Sequence, residues 1–182
     1  MASIRIDKPE AARRQLDAAI RMLFSGEDFL AVHTVANAAY RIIRDLAEIS
    51  GNAQFHEKLK RMIRPGREKH FWASVNKFSN FLKHADNDST EILDIEEESN
   101  DVIICIACLT YESLGYQATP IMVCFQLWHS YLHPDLLSED NPLKDVLSVQ
   151  EPHGIRSQPR TEQLNFGKCM VDTINLQTLS KK

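Results

Sequence analysis

Histidine and asparagine side chains recur at helical spacing inside segments that are otherwise apolar. One set advances by four, four and three residues, the spacing of a single helix face, and comprises His33, Asn37, Arg41 and Arg44. A second set advances by seven, three and four residues and comprises His70, Lys77, Asn80 and His84. Asparagine is a poor helix-interior residue because its side chain competes for the backbone, so a plain solvated face would rarely contain it. Either the two faces form a binding or acid–base site, or their polar groups are exposed or paired with one another inside the protein.

Other patterns have the spacing of metal or redox sites but lack the companion residues that such sites need. His129 and His133 lie one helical turn apart, as in a two-histidine metal edge, without an accompanying carboxylate pair. The alternative is a helix end that carries exposed histidines. Cys105 and Cys108 have the spacing of a zinc or redox half-site without a second cysteine pair, and we predict that they are buried core thiols. We therefore predict no metal site and no cofactor.

The elements that position these residues are predicted to be helices. Apolar positions recur with a helical period over six segments, namely 9–24, 29–49, 54–63, 67–84, 99–114 and 120–133. Asp28 is a predicted N-cap, and Thr119-Pro120 has the pattern of a cap followed by a first-turn proline. The segment 102–114 is apolar nearly all round, which favours the centre of a bundle. The predicted fold is all-α, a single-domain helical bundle of five to seven helices.

The chain is expected to have two parts. Residues 1–133 should form the bundle core, and residues 134–182 should form short helices and a C-terminal extension packed on the core or on a partner chain. Within the second part, 152–159 has the composition of a linker, and 162–179 is predicted as a last helix.

The overall composition excludes several classes of protein. The chain has 182 residues, of which 43% are hydrophobic and 25% are charged, with a formal net charge of −4. This balance is typical of one globular domain and provides no general attraction to nucleic acid or anionic membrane. Serine-nucleophile, phosphate-loop and dinucleotide-binding signatures are absent from the sequence. Without a run of 18 apolar residues or a signal-peptide pattern, we expect no membrane association and a cytoplasmic location.

One segment resembles a known family. Residues 80–86 (Asn-Phe-Leu-Lys-His-Ala-Asp) close an aromatic-rich helix and lead into an acidic loop. The segment is similar to the Asn-x-x-x-His element near the end of a core helix in the HEPN superfamily (higher eukaryotes and prokaryotes nucleotide-binding). Those proteins are small helical bundles, usually dimeric, and many are RNases of toxin–antitoxin or phage-defence systems. The resemblance extends over roughly residues 10–133 and implies a homodimer and a partner that is RNA or an antitoxin-like protein.

The sequence departs from the family pattern at the position that matters for catalysis. Active members carry arginine before the asparagine, with four to six residues between that arginine and the histidine, whereas here Ser79 precedes Asn80. Lys77 is the nearest cation upstream of Asn80, and its ammonium lacks the bidentate fork of a guanidinium. Arg64 and His70 match the spacing literally, but Pro65-Gly66 separates them.

By this resemblance, RNA cleavage would use His84 as the base toward the 2′-OH, with Asn80 and Lys77 as the other catalytic candidates. The binding candidates are His33, Asn37, Arg41, Arg44 and His70. Because the arginine is missing, we predict a helical-bundle scaffold or binding protein without catalytic activity. The alternative is a HEPN-like RNA-binding protein or metal-independent RNase of a bacterial defence or toxin–antitoxin system.

Overall fold

The computed structural model describes residues 3–51, 68–83, 90–137, 147 and 152–179. Within these ranges the chain forms six α-helices and no strand, which confirms the predicted all-α bundle. The helices are α1 (Lys8–Phe24), α2 (Phe29–Ile49), α3 (Glu68–Phe81), α4 (Ser99–Ser113), α5 (Pro120–Leu132) and α6 (Arg160–Leu179). Two 3-10 helices cover Pro134–Leu136 and Pro152–Ser157. The predicted helix over 54–63 lies outside the described residues, and the division of the chain at residue 133 stays a prediction.

Local capping chemistry explains where three of the helices begin. Asp7 Oδ1 accepts a hydrogen bond from Glu10 N at 2.9 Å at the start of α1. The predicted caps are also present: the Asp28 carboxylate accepts from the first amides of α2, and Thr119 Oγ1 accepts from Met122 N at 3.2 Å in α5. Each cap satisfies an amide that has no partner within its own helix.

The core is built around α4, as its continuous apolar sequence predicts. Ten of its fifteen residues are buried, and it packs against α2, α1 and α5. Ile104 is fully buried there, whereas Ile42 of α2 is only half-buried at the edge of the core cluster. The largest buried side chains, Trp128 and Phe125, come from α5.

The C-terminal helix α6 packs directly on α1 and α5. Gly167 faces the Phe24 ring so closely that a Cβ atom added there would lie 2.2 Å from Phe24 Cε1. The indole of Trp128 donates to the Gln163 carbonyl at 2.7 Å. The absence of a side chain at Gly167 is therefore what lets α6 approach the bundle.

The interpretation of residues 152–159 as a linker is wrong, because most of this segment is an ordered 3-10 helix. Ile155 within it is buried. The Arg156 guanidinium donates to the backbone carbonyl of Tyr131 at 2.7 Å and also to that of Leu147. These long-range contacts order a segment whose local sequence predicts none.

No helix in the described part of the chain is long and apolar enough to cross a membrane.

Candidate functional site

The polar faces predicted on α2 and α3 meet at two points. The His33 ring stacks on Phe78 with centroids 3.8 Å apart and an interplanar angle of 28°. Four residues further along α2, Asn37 Oδ1 accepts a hydrogen bond from Ser79 Oγ at 3.0 Å. His33 and Asn37 are only 2% and 3% exposed. This part of the α2 stripe therefore faces another helix and not solvent.

A hydrogen-bond chain determines the tautomer of His33. Asn100 Nδ2 donates to the Phe29 carbonyl at 3.0 Å, which directs Asn100 Oδ1 toward His33 Nδ1, also at 3.0 Å. An amide oxygen only accepts, so Nδ1 must carry the hydrogen and Nε2 must carry a lone pair. Burial lowers the pKa of His33 to about 4, so the ring is neutral near pH 7. Nε2 is buried and has no hydrogen-bond partner among the described residues.

His33 lines a pocket between α2, α3, the segment that precedes α4, and the first turn of α4. The pocket volume is about 480 Å³. Its apolar lining consists of Val75, Phe78, Leu93, Ile95, Val102 and Ile103. Its polar lining, besides His33, consists of Lys77, Asp94, Glu96, Glu98 and Ser99. The polar groups are mostly acidic and exposed, so an apolar cavity opens beneath an acidic rim.

Two cations lie beside the Asn37–Ser79 contact. Lys83 Nζ donates to Ser79 Oγ at 2.8 Å, which continues the hydrogen-bond chain that begins at Asn37. Desolvation lowers the pKa of Lys83, and the neighbouring Arg41 lowers it further. Ser79 thus provides a hydroxyl that joins α2 to α3.

The other predicted site residues do not join the hydrogen-bond chain of Asn37, Ser79 and Lys83, although Lys77 lines the pocket. Asn80 is exposed, and Lys77 pairs with Glu91 at 2.6 Å. The Arg44 guanidinium is occupied on its own helix by the carboxylates of Asp45 at 2.8 Å and Glu48 at 3.5 Å. His84 lies outside the described residues, as does the side chain of His70, so their roles stay predictions.

A second polar cluster, which the sequence reasoning missed, lies between α4, α5 and α6. Asp101 Oδ1 accepts from Arg160 Nη2 at 2.6 Å, and the guanidinium carbon lies 5.3 Å from the ring centroid of Trp128. Asp101 is 1% exposed. Burial raises the pKa of Asp101, and the bond from Arg160 opposes that rise. The sequence feature that could have indicated this cluster is Asp101 itself, a carboxylate in the first turn of an otherwise apolar helix.

The expectation of two exposed histidines at the end of α5 is wrong for His129, which is buried. Its ring lies 4.8 Å from that of His133, centroid to centroid. Burial lowers the pKa of His129 to about 4, and the nearby His133 and Arg160 lower it further. Across the described ranges, no group of three or more histidine, cysteine or acidic side chains is placed to hold a metal ion.

The cysteines of α4 are buried and unpaired, as predicted. Burial raises the pKa of Cys105 to about 12 and that of Cys108 above its ordinary value. A thiol whose thiolate is disfavoured in this way is a poor nucleophile and a poor metal ligand.

No protein-family model matches the chain, and no curated protein or solved structure matches it significantly. Its own geometry defines the site: a buried neutral histidine on the wall of a mainly apolar pocket, whose exposed lining residues are mostly acidic.

Proposed function

We propose that this chain is a non-catalytic binding protein whose helical bundle holds a small, mainly apolar molecule in the His33 pocket. The observation that carries the proposal is a cavity of about 480 Å³ whose lining is mainly apolar and includes the buried, neutral His33. Concave sites with apolar walls and a few oriented polar groups are the usual form of small-molecule sites.

The same histidine supports binding over catalysis. A general base works best when its pKa lies near the operating pH, and the pKa of His33 is about 4. Its ring is also held by Phe78 on one face and by Asn100 at Nδ1. The described lining of the pocket contains neither an arginine nor a second histidine to act with it.

Ligand-observed NMR with naphthalen-2-ylmethanol tests the proposal. At about 0.3 kcal/mol per non-hydrogen atom, a probe of this size should bind with a Kd of about 2 mM. Val102→Phe places a ring into the pocket lining and should weaken binding at least about tenfold, because the added volume occupies the ligand's space. Leu136→Phe is the control, because Leu136 is 49% exposed and does not line the pocket. Undetectable binding to the wild type, or equal binding by both variants, would contradict the proposal.

A HEPN-like RNA-binding protein or RNase is the alternative proposal. It is supported by the two cations, Arg41 and Lys83, that lie beside the buried Asn37–Ser79 contact. Paired cations attract phosphate, but the serine at position 79 removes the bidentate donor that arginine offers. RNA or an antitoxin-like protein would be the partner under this alternative.

Self-association and a cytoplasmic location belong to the same set of proposals. Val123 and Leu127 are exposed one turn apart on α5, and an apolar patch on a helix can pack against its own copy in a twofold dimer. The unpaired cysteines buried at 105, 108 and 124 suit a reducing compartment.

A further inference from the structure

We infer that the His33 pocket receives the segment before α1 from a second copy of this chain, so that two copies exchange residues 3–6 in a twofold dimer. The inference rests on the proposed function to the extent that it names a further occupant for the same pocket. Three observations support it: an exposed apolar segment, the charge of that segment, and the distance between the segment and its own pocket.

The segment before α1 carries apolar side chains that its own bundle leaves largely in solvent. Ile4 is 73% exposed and Ile6 is 46% exposed, and residues 3–7 are not helical. In an extended chain, side chains two residues apart point to the same side. The two isoleucines can therefore form one apolar ridge, and an exposed apolar surface of this kind often marks a protein contact.

The charges of the segment and of the pocket are complementary. Arg5, between the two isoleucines, is exposed. The pocket lining includes three exposed carboxylates, those of Asp94, Glu96 and Glu98, and the lysine of the lining, Lys77, is already paired with a carboxylate at 2.6 Å. An extended segment that directs both isoleucines into the apolar lining turns the guanidinium outward, toward the carboxylates. Opposite charges at the edge of an apolar contact orient the encounter.

The segment lies at the end of the bundle opposite to its own pocket. Four residues, 25–28, join α1 to α2, and the two helices pack along each other, so they run antiparallel. His33 is in the second turn of α2, and the same level on α1 is about twelve residues, or about 18 Å, from Lys8 at 1.5 Å per residue. An extended chain spans about 3.5 Å per residue, so Ile6 reaches about 7 Å and Ile4 about 14 Å from Lys8. Neither isoleucine reaches the pocket of its own chain.

A second copy in the antiparallel orientation removes this obstacle. A twofold axis perpendicular to the helices places the pocket end of one copy beside the start of α1 in the other, and the same contact recurs at the opposite end. Each dimer then buries two segments in two pockets. This contact uses a different surface from the exposed Val123 and Leu127 of α5, so the two surfaces can be tested separately.

Sedimentation velocity over a concentration series tests the exchange. The double variant Ile4→Ser with Ile6→Ser should raise the dissociation constant of the dimer at least about hundredfold, because burying an isoleucine side chain changes affinity about tenfold or more and both segments are affected. Ile49→Ser is the matched control, since Ile49 is 84% exposed at the same end of the bundle but outside the segment. Its dissociation constant should match that of the wild type. A monomeric wild type, or a double variant that dimerises as tightly as the wild type, would overturn the inference.

Further variants assign the contact to the pocket. Arg5→Glu should weaken the dimer, and adding Glu96→Lys and Glu98→Lys should recover most of the loss, because the opposite charges are exchanged. Val102→Phe places a ring into the pocket lining and should weaken the dimer, whereas Leu136→Phe, outside the lining, should not. A charge-exchanged variant that dimerises no more tightly than Arg5→Glu alone would overturn the assignment to this pocket.

The failure of this inference differs from the failure of the proposed function. Binding of naphthalen-2-ylmethanol is measured on Ile4→Ser with Ile6→Ser, whose pocket no longer competes with the exchanged segment. If the probe binds and the substitutions leave the dimer unaltered, the proposed function stands and the exchange is overturned. If the probe does not bind, while these substitutions and Val102→Phe each weaken the dimer, the exchange stands and the small-molecule function is overturned. A dimer weakened by Leu127→Ser but not by the double variant would place the contact on α5 and overturn the exchange.

Discussion

Replacing Arg160 with methionine tests whether a buried ion pair holds α6 on the bundle. Arg160 Nη2 lies 2.6 Å from Asp101 Oδ1, and the two side chains are 19% and 1% exposed. The guanidinium also lies over the Trp128 ring at 5.3 Å from its centroid. Methionine retains most of the apolar contact of the arginine stem, so the substitution mainly removes the charge and its hydrogen bond.

We expect the variant to lose about 3 kcal/mol of unfolding free energy near pH 7. Removing one partner of a buried pair typically costs about 3–5 kcal/mol, because the other charge stays buried without compensation. The lower end of that range of free energies applies here, because Arg160 is partly exposed and solvent screens the pair. For a domain of this size, such a loss lowers the melting temperature by about 6–12 °C.

The loss should shrink in acid. Burial already raises the pKa of Asp101, and removing Arg160 raises it further. A carboxyl whose folded pKa exceeds its unfolded value destabilises the fold above the unfolded pKa, and that penalty disappears as the pH falls through the folded pKa. His129 acts in the same direction, because Arg160 helps to hold its pKa down to about 4 and its removal relieves that repulsion.

Urea unfolding at about pH 7 and about pH 4.5 measures the effect. Asp101→Asn combined with Arg160→Met should recover part of the loss, because no charge is then left buried. Arg14→Met is the matched control, since Arg14 is 53% exposed and pairs only at the surface; its midpoint should move far less. A loss below about 1 kcal/mol near neutral pH, or one that is equally large in acid, would refute the reasoning.

Four further predictions follow from the packing and the site. Gly167→Ala should cost about 1–2 kcal/mol in urea melts, because the clash of the new Cβ with the Phe24 ring outweighs the better helix propensity of alanine; an unchanged midpoint would contradict the close approach of α6. Ile104→Ala should lower the free energy of unfolding by about 2–4 kcal/mol, and Ile42→Ala, at a half-buried position, by less than half as much. Equal losses in urea melts would show that the two side chains are equally buried. Labelled single-stranded RNA in EDTA should stay intact with wild type and with His84→Ala, whereas robust cleavage abolished by the substitution would favour the RNase alternative. Light scattering at micromolar concentration should give the mass of two chains, and a single-chain mass would exclude the homodimer.

Most of the helices could be predicted from the sequence because their signals are local. The Asp28 cap begins α2, and Thr119-Pro120 begins α5, as the residue types indicate. The buried character of α4 also follows from its composition, since a helix that is apolar all round must be covered on every side. The 3-10 helix of Pro152–Ser157 could not be predicted, because its order depends on the contacts of Ile155 and Arg156 with distant residues.

The candidate site was only partly predictable. The shared face of His33 and Asn37 follows from their spacing, but their partners do not. Asn100 is 67 residues from His33, and Ser79 is 42 residues from Asn37. Nothing in the local pattern of α2 indicates that these side chains would be sealed by α3 and α4 and not open to solvent.

The sequence by itself determined the helix positions, the all-α class and the alignment of the polar side chains on α2, because helical periodicity and capping act over a few neighbouring residues. Only the tertiary structure decided that His33 lies against a pocket and that Asp101 meets Arg160, which is 59 residues away in the chain. The physical reason is that hydrogen-bond satisfaction and burial depend on which helices pack together, and packing joins segments whose local sequences carry no record of each other.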